Sequence, residues 1–289
     1  MSETAPPDPT ASRPASVDPF DGFAPFEVVA GDPSLGLVII ADHARNLLPP
    51  AYGTLGLPAS EFERHIAYDI GIEALARALA SRTGAPAVMA GFSRLLIDPN
   101  RGADDPTLIR QLYDGTVIAA NYPISPEERE RRLARCYRPY HRAVSRLIDD
   151  VMRASGAAPF IFSLHSFTPT MQGRVRPWHA GVLWDSDPRA VRPLLERLAA
   201  VPDLVVGDNE PYDGALRGDT MYMHAIVPGY AHALLEIRQD LIADQRGVDE
   251  WADRLAPIVE EINAMPDMHV TKQHGSRTGP VEGATPWND

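Results

Sequence analysis

Short, continuous apolar runs separated by longer stretches of mixed polarity set the pattern of this chain. Leu35–Ala41 (LGLVIIA) is such a run, and its length suits a strand buried on both faces. Ala85–Ala90, Arg94–Ile97, Pro159–Leu164 (PFIFSL), Ala180–Trp184, Leu204–Val206 and Ala231–Ile237 (AHALLEI) read as further short strands. Between them the apolar spacing changes to three and four. Phe62–Ser81 predicts a helix, with Ile66, Ile70, Leu75 and Leu79 among its apolar positions. A second helix begins at Ser125-Pro126-Glu127-Glu128: serine at the N-cap, proline at the first position, glutamate three residues after the cap. From there Leu133, Tyr137, Tyr140, Val144, Leu147 and Val151 form one apolar stripe, and Pro139 predicts a kink. Strands alternating with long helices predict an α/β sandwich on a mainly parallel sheet.

Residues 1–25 and 272–289 are rich in small, polar and proline residues, and are expected to be flexible tails. Between them the pattern predicts a single domain over residues 26–271, with no internal repeat. No apolar run reaches the length of a membrane span, and no basic patch leads an apolar run at the N-terminus. A cytoplasmic location is the default expectation. The chain carries 27 basic against 39 acidic residues, a net charge of −12. That balance argues against nucleic acid and anionic membranes as partners. Cys136 is the single cysteine, so a disulfide framework and a Cys-rich zinc site are excluded. Without a base close in sequence, Cys136 is also a poor nucleophile. Any metal must rest on carboxylates and on some of the nine histidines.

Two histidines follow buried strands, His43 after Ile39-Ile40-Ala41-Asp42 and His165 after Phe160-Ile161-Phe162-Ser163-Leu164. In open α/β sheets the ligand crevice lies at the carboxyl ends of strands. The two can therefore converge on one metal, or each can be a hydrogen-bonded residue at the core edge. His43-Ala44-Arg45-Asn46 has the H-x-x-E spacing of zinc peptidases, with Asn46 in place of the carboxylate. The chain has no H-E-x-x-H, and no H-x-D/E, which weakens the case for a non-haem iron oxygenase. Arg94-Leu95-Leu96-Ile97-Asp98-Pro99-Asn100-Arg101 places arginines beside an aspartate and an asparagine. An arginine held by an aspartate is a preorganised fork for a ligand carboxylate. The same residues also make good turn chemistry.

Glu236 ends an apolar strand, where a carboxylate is costly to bury unless it is paired or functional. A glutamate facing a metal-bound water is the usual general base of a zinc hydrolase. An ion pair with Arg238 is the plainer alternative. Asp69, flanked by apolar residues on the predicted helix, is a third metal ligand, an outer partner of a ligating histidine, or a cap. The polar loop Val206–Gly214, with Tyr212, and the segment Thr220–His224 behind it read as a substrate-side wall. Tyr140-His141 reads as core edge.

Five motifs stand in order: Asp42-His43-Ala44-x-Asn46-x-x-Pro49, Arg64-His65-x-x-x-Asp69-Ile70-Gly71, Ser93-Arg94-x-x-Ile97-Asp98-x-Asn100-Arg101, Leu164-His165-Ser166-Phe167 and Leu235-Glu236-Ile237-Arg238-Gln239-Asp240-Leu241. Together they resemble the N-formylglutamate amidohydrolase family, from about Leu35 to Ile242. That family is related to zinc carboxypeptidases and aspartoacylase-like deacylases. The resemblance implies a three-layer α/β sandwich with a mixed, mostly parallel sheet, zinc-carboxypeptidase-like (phosphorylase/hydrolase-like). It implies metal-dependent removal of the formyl or a similar acyl group from N-formyl-L-glutamate or a related small-molecule N-acyl amino acid, within amino-acid catabolism such as histidine degradation. His43 and His165 would hold Zn²⁺ or another divalent metal, with Asp69 the candidate third ligand because Asn46 departs from the relatives' glutamate. Glu236 would be the base and Arg94 a second positive group. Asn100 and Arg101, positioned by Asp98, would grip the substrate carboxylate, with Arg238, Tyr212 and His224 completing the substrate side. The alternatives are a metallo-carboxypeptidase or N-acyl amino acid deacylase of other specificity, and a non-catalytic carboxylate-binding protein.

Overall fold

The computed structural model describes Asp18 and residues 20–281. The apolar runs pair into a seven-stranded sheet. Its order is β1 (Phe26–Val29), β3 (Ala87–Ala90), β2 (Leu37–Ala41), β6 (Phe160–Phe167), β11 (His232–Arg238), β9 (Ala180–Leu183) and β10 (Val206–Asp208). Four of the six pairings are parallel; β1 runs antiparallel to β3, and β9 antiparallel to β11. Two hairpins stand apart from this sheet: β4 (Leu112–Tyr113) with β5 (Thr116–Val117), and β7 (Thr170–Met171) with β8 (Arg174–Val175).

Side chains alternate across β2. Leu37, Ile39 and Ala41 enter one apolar layer with Leu75 of α1 (Ile72–Thr83), Leu194 of α4 (Val191–Ala199) and Trp251 of α5 (Gln245–Asn263). Val38 and Ile40 enter the other, where α3 (Arg138–Ser155) brings Tyr140, Val144 and Val151. Burial of both faces explains why β2 and β6 read as unbroken apolar runs. This is the three-layer sandwich with a mixed, mostly parallel sheet that the sequence predicts.

Local departures from the prediction matter for the site. Phe62–Ser81 is not one helix: Ala59–Glu63 is a 3-10 turn, further turns follow, and α1 begins only at Ile72. Gly71 holds φ at +84°, and a Cβ there would lie 2.2 Å from the Ile242 carbonyl oxygen, so a regular helix cannot run through it. Asp69 therefore sits in the turn before α1, not on a helix. Arg94–Ile97 is a turn rather than a strand, closed by the Leu96 N–H donating to Ser93 O at 3.0 Å. His165 and Glu236 lie inside their strands, because β6 and β11 extend past the apolar runs.

Ser125 caps α2 (Pro126–Arg132), its Oγ accepting from the Glu128 N–H at 3.2 Å. The helix continues through a π turn, Leu133–Tyr137, into α3, so the disturbance around Pro139 takes the form of that turn. Residues 1–17, 19 and 282–289 of the two expected tails lie outside the described residues. In the remainder of both, single residues are anchored to the domain. Phe20 is buried against Tyr52, and Arg277 donates to Asp213 Oδ2 at 2.9 Å and to Asp185 O at 2.9 Å. One apolar ring and one arginine fork anchor segments whose composition alone suggests none. No helix among the described residues is long and apolar enough to cross a membrane.

Candidate active site

The carboxyl ends of the central strands gather the polar residues, as parallel sheets do. His43 lies in the turn just past β2. Register sets Glu236 of β11 opposite His165 of the parallel β6, so both side chains leave the same face. Asp69 is fastened beside them by its own N–H, which donates to His43 O at 2.9 Å. Asp69 Oδ2 then stands 3.4 Å from His43 Nδ1 and 2.9 Å from His165 Nδ1. One donor atom from each of these three buried residues lies within 4.8 Å of the others, so the group can hold a metal ion.

The far side of each ring faces another aspartate. His43 Nε2 is 2.7 Å from Asp98 Oδ1, and His165 Nε2 is 3.3 Å from Asp42 Oδ2. The second contact is too poorly directed for a hydrogen bond, which leaves His165 Nε2 and Asp42 Oδ2 unpartnered, along with His43 Nδ1. Both rings thus turn Nδ1 to Asp69 and Nε2 to an outer carboxylate. Ligating histidines typically sit this way, with the remote N–H given to a carboxylate. Asp42 is itself held by Tyr140 Oη at 2.8 Å and Thr220 Oγ1 at 2.7 Å.

Electrostatics follow from burial. Burial alone would push Asp69 and Asp98 up, but His43, His165 and Arg94 around Asp69, and Arg94 and His43 around Asp98, hold both carboxyls well below the usual range. Burial disfavours a charged His165, yet the adjacent carboxylates of Asp42 and Asp69 raise it well above an ordinary histidine. A protonated imidazole and a metal ion are alternative cations for such a nest of acids. Glu236 is 7% exposed and its Oε2 has no partner. Burial pushes its pKa up to about 7, with His165 opposing and Asp69 adding.

These groups open on a cavity of about 310 Å³, lined also by Arg94, Asn100, Arg101 and Tyr212. Arg94 reaches it with a committed guanidinium, 3.1 Å from Asp69 Oδ1 and 3.4 Å from Asp98 Oδ2. Asn100 is fixed by its Oδ1, which accepts the Thr220 N–H at 3.0 Å, and Arg101 Nη1 donates to Asn100 O at 2.6 Å. Tyr212 Oη accepts from Arg176 Nη1 at 2.8 Å, and burial pushes the phenol up to about 12.

Three expectations need correction, and the place of Asn46 bears on the third ligand. Asp98 is fully buried behind His43 and Arg94, so it positions them and does not line the cavity. Arg238 is spent on Asp240, at 2.8 Å, and on Trp178 O, away from the cavity. His224 sits on a π turn (Tyr222–Ile226) packed towards α3, where it stacks on His141 and points away from substrate space. Asn46 donates to Phe62 O at 2.7 Å and lines a different groove, so it is no ligand. Asp42, directly before His43, is held by Thr220 and Tyr140, which the sequence reads only as a wall segment and a core edge. Arg110 and Tyr113, which also line the cavity, lie just before and on the short hairpin strand β4, in a stretch whose sequence has no period to signal it.

The profile of the N-formylglutamate amidohydrolase family matches residues 35–243. N-formylglutamate deformylase of Pseudomonas putida is 28% identical over 188 residues, 60% of this chain and 70% of that protein. A solved gene product of Agrobacterium tumefaciens superposes with a TM-score of 0.76 at 32% identity, over 82% of this chain and 94% of that one. N-formylglutamate amidohydrolase of Ralstonia eutropha superposes with a TM-score of 0.58 at 22% identity, over 83% of this chain and 97% of that one, and speaks for the fold. The chain belongs to the N-formylglutamate amidohydrolase family and, as a member, is a hydrolase of amide bonds.

Proposed function

We propose that this member of the family hydrolyses the formyl amide of N-formyl-L-glutamate, or of a closely related N-acyl amino acid, with Zn²⁺ held by His43, His165 and Asp69. The observation that carries the reading is the unpartnered Oε2 of buried Glu236, beside His165 in the cavity that also holds Arg101. The donor set fits the metal: two imidazoles and one carboxylate leave an open position, and His43 Nδ1 has no hydrogen-bond partner among the described residues. Held by these three residues, a divalent cation would supply a Lewis acid and lower the pKa of a water towards about 7.

Glu236 accepts the proton of that attacking water at Oε2 and passes it to the leaving amine. A carboxyl raised to about 7 is matched to this exchange near neutrality. Asp98 and Asp42 hold the two imidazoles, and Arg94 holds Asp69 and Asp98. Arg101, braced by Asn100, binds the α-carboxylate through a charge-assisted fork. Water adds to the formyl carbon, the C–N bond breaks, and formate and the free amino acid leave.

The test is formate release from N-formyl-L-glutamate, with metal content measured on the same protein. The expected result is release of formate and glutamate in equal amounts, abolished by a chelator and restored by Zn²⁺. Glu236→Gln should lower kcat by about 10² to 10⁴ with metal retained. Near-full activity of that variant with metal bound would overturn the mechanism.

A further inference from the structure

Arg94, Arg101 and Arg110 all line the cavity. Arg94 is neutralised by Asp69 and Asp98. Among the described residues no carboxylate lies within ion-pair distance of Arg101 or Arg110, and Arg110 Nε is buried without a hydrogen-bond partner. Two guanidiniums with no carboxylate in direct contact, in one cavity, make a site for two negative charges.

Arg110 is also preorganised. Its guanidinium carbon lies 4.5 Å from the centre of the Tyr113 ring, which that of Arg94 approaches to 5.6 Å. Its backbone is clamped by the wholly buried Asn121, whose Nδ2 donates to Arg110 O at 2.7 Å and to Leu95 O at 2.9 Å. Asn121 Oδ1 in turn accepts from Arg132 Nη1 at 2.7 Å. The loop carrying Arg110 is thereby tied to the loop carrying Arg94. Burial pulls the Arg110 pKa down, with Asp98 and Tyr113 opposing and Arg101 and Arg94 adding, so an anion in direct contact offsets the cost of burying this guanidinium.

We propose that Arg110, laid on Tyr113, is the specificity residue of this enzyme: it binds the side-chain carboxylate of the substrate while Arg101 binds the α-carboxylate. The inference rests on the proposed hydrolysis of an N-formyl amino acid and adds the group that chooses which one. The α-carboxylate is common to every such substrate, so Arg101 cannot discriminate among them. Arg110 can, because a neutral side chain leaves its guanidinium unpaired.

The experiment compares N-formyl-L-glutamate with N-formyl-L-glutamine on wild type, Arg110→Gln, Arg110→Lys and Arg101→Gln, with binding of glutarate and butyrate measured by calorimetry. Wild type should favour the glutamate substrate by about 10- to 100-fold in kcat/KM. Arg110→Gln should bring that ratio close to one, chiefly through KM, and Arg110→Lys should restore part of it. Arg101→Gln should lower both substrates alike. Glutarate should outbind butyrate on wild type but not on Arg110→Gln. A wild-type substrate ratio retained in Arg110→Gln, or a ratio that collapses in Arg101→Gln instead, overturns the assignment. If no formyl substrate turns over on wild type, the proposed function fails. The glutarate comparison still decides the role of Arg110, since loss of the glutarate preference supports it and retention sinks it.

Discussion

Two pairs of buried histidines lie in this fold with nearly the same spacing and opposite chemistry. His43 and His165 stand edge to face with ring centres 5.1 Å apart; His141 and His224 stack with centres 5.2 Å apart. All four are 5% exposed or less. The first pair is walled by Asp42, Asp69 and Asp98. The second meets each other at 3.0 Å, the Pro99 carbonyl at 3.0 Å and Ser145 Oγ at 3.5 Å. Burial lowers the pKa of His141 to about 4 and that of His224 to about 3, and the opposing charge of Asp42 does not reverse it. His165 shows the reversal, since its carboxylates outweigh the same burial. Burial neutralises a histidine; its first neighbours decide whether that outcome stands. The neutral pair still serves the charged one, because His141 Nε2 donates to Pro99 O, between Asp98 and Asn100.

The sharpest break in this comparison comes from removing the ring that the acids surround. His165→Ala should lose bound metal and at least about 10³-fold in kcat/KM, the several kcal/mol that a Lewis acid contributes. Metal content and formate release measured together check this, and full activity in a metal-free His165→Ala sinks the ligand assignment. A smaller effect follows from the outer carboxylate. Asp42→Asn keeps the shape and the acceptor for Tyr140 and Thr220 but removes the charge facing His165 Nε2. Zinc affinity, read by competition with a chelating dye, should weaken by about 10- to 100-fold. An unchanged affinity would show that Asp42 merely fills space.

The contrast between the two pairs also marks how far the sequence is legible. His43, His165 and Glu236 could be picked out because each follows a run of apolar residues, and such a run fixes both the strand and the end on which a ligand sits. His224 could not be sorted from them, since a histidine among Met223, Ala225 and Ile226 looks the same whether it faces a cavity or another histidine. Arg238 misled for a related reason: it ends β11, but the strand end does not say which way its long side chain swings. Asp69 was found in the wrong setting. The helix expected through it is stopped by the backbone approach at Gly71, a long-range contact with Ile242 that no local pattern encodes. Arg110, just before the hairpin strand that carries Tyr113, is held in place by Asn121 and Arg132, residues brought there only by the tertiary fold.

The neutral pair can be tested on stability. His224→Ala removes the partner of His141 Nδ1 and should lower unfolding free energy by about 1–3 kcal/mol, the cost of stranding a buried polar group. Urea denaturation measures it, and a loss confined to activity would show that His224 serves the cavity after all. The finest distinction is in the pH dependence. In the unfolded chain both rings titrate near the ordinary value of about 6.5, whereas in the fold they stay neutral down to about 4 and about 3. On acidification the unfolded state therefore binds protons first, so the stability present above about pH 6.5 is lost as pH falls through that window. His224→Gln keeps an N–H for His141 Nδ1 and removes one of the two titrating rings. Its stability should fall less steeply between about pH 6 and 4, by up to about 1.4 kcal/mol per pH unit, the linkage of a single proton. An unaltered slope in that variant would mean that His224 carries a proton in the fold. It would then belong with the acid-walled pair, and the difference drawn between the two pairs would be wrong.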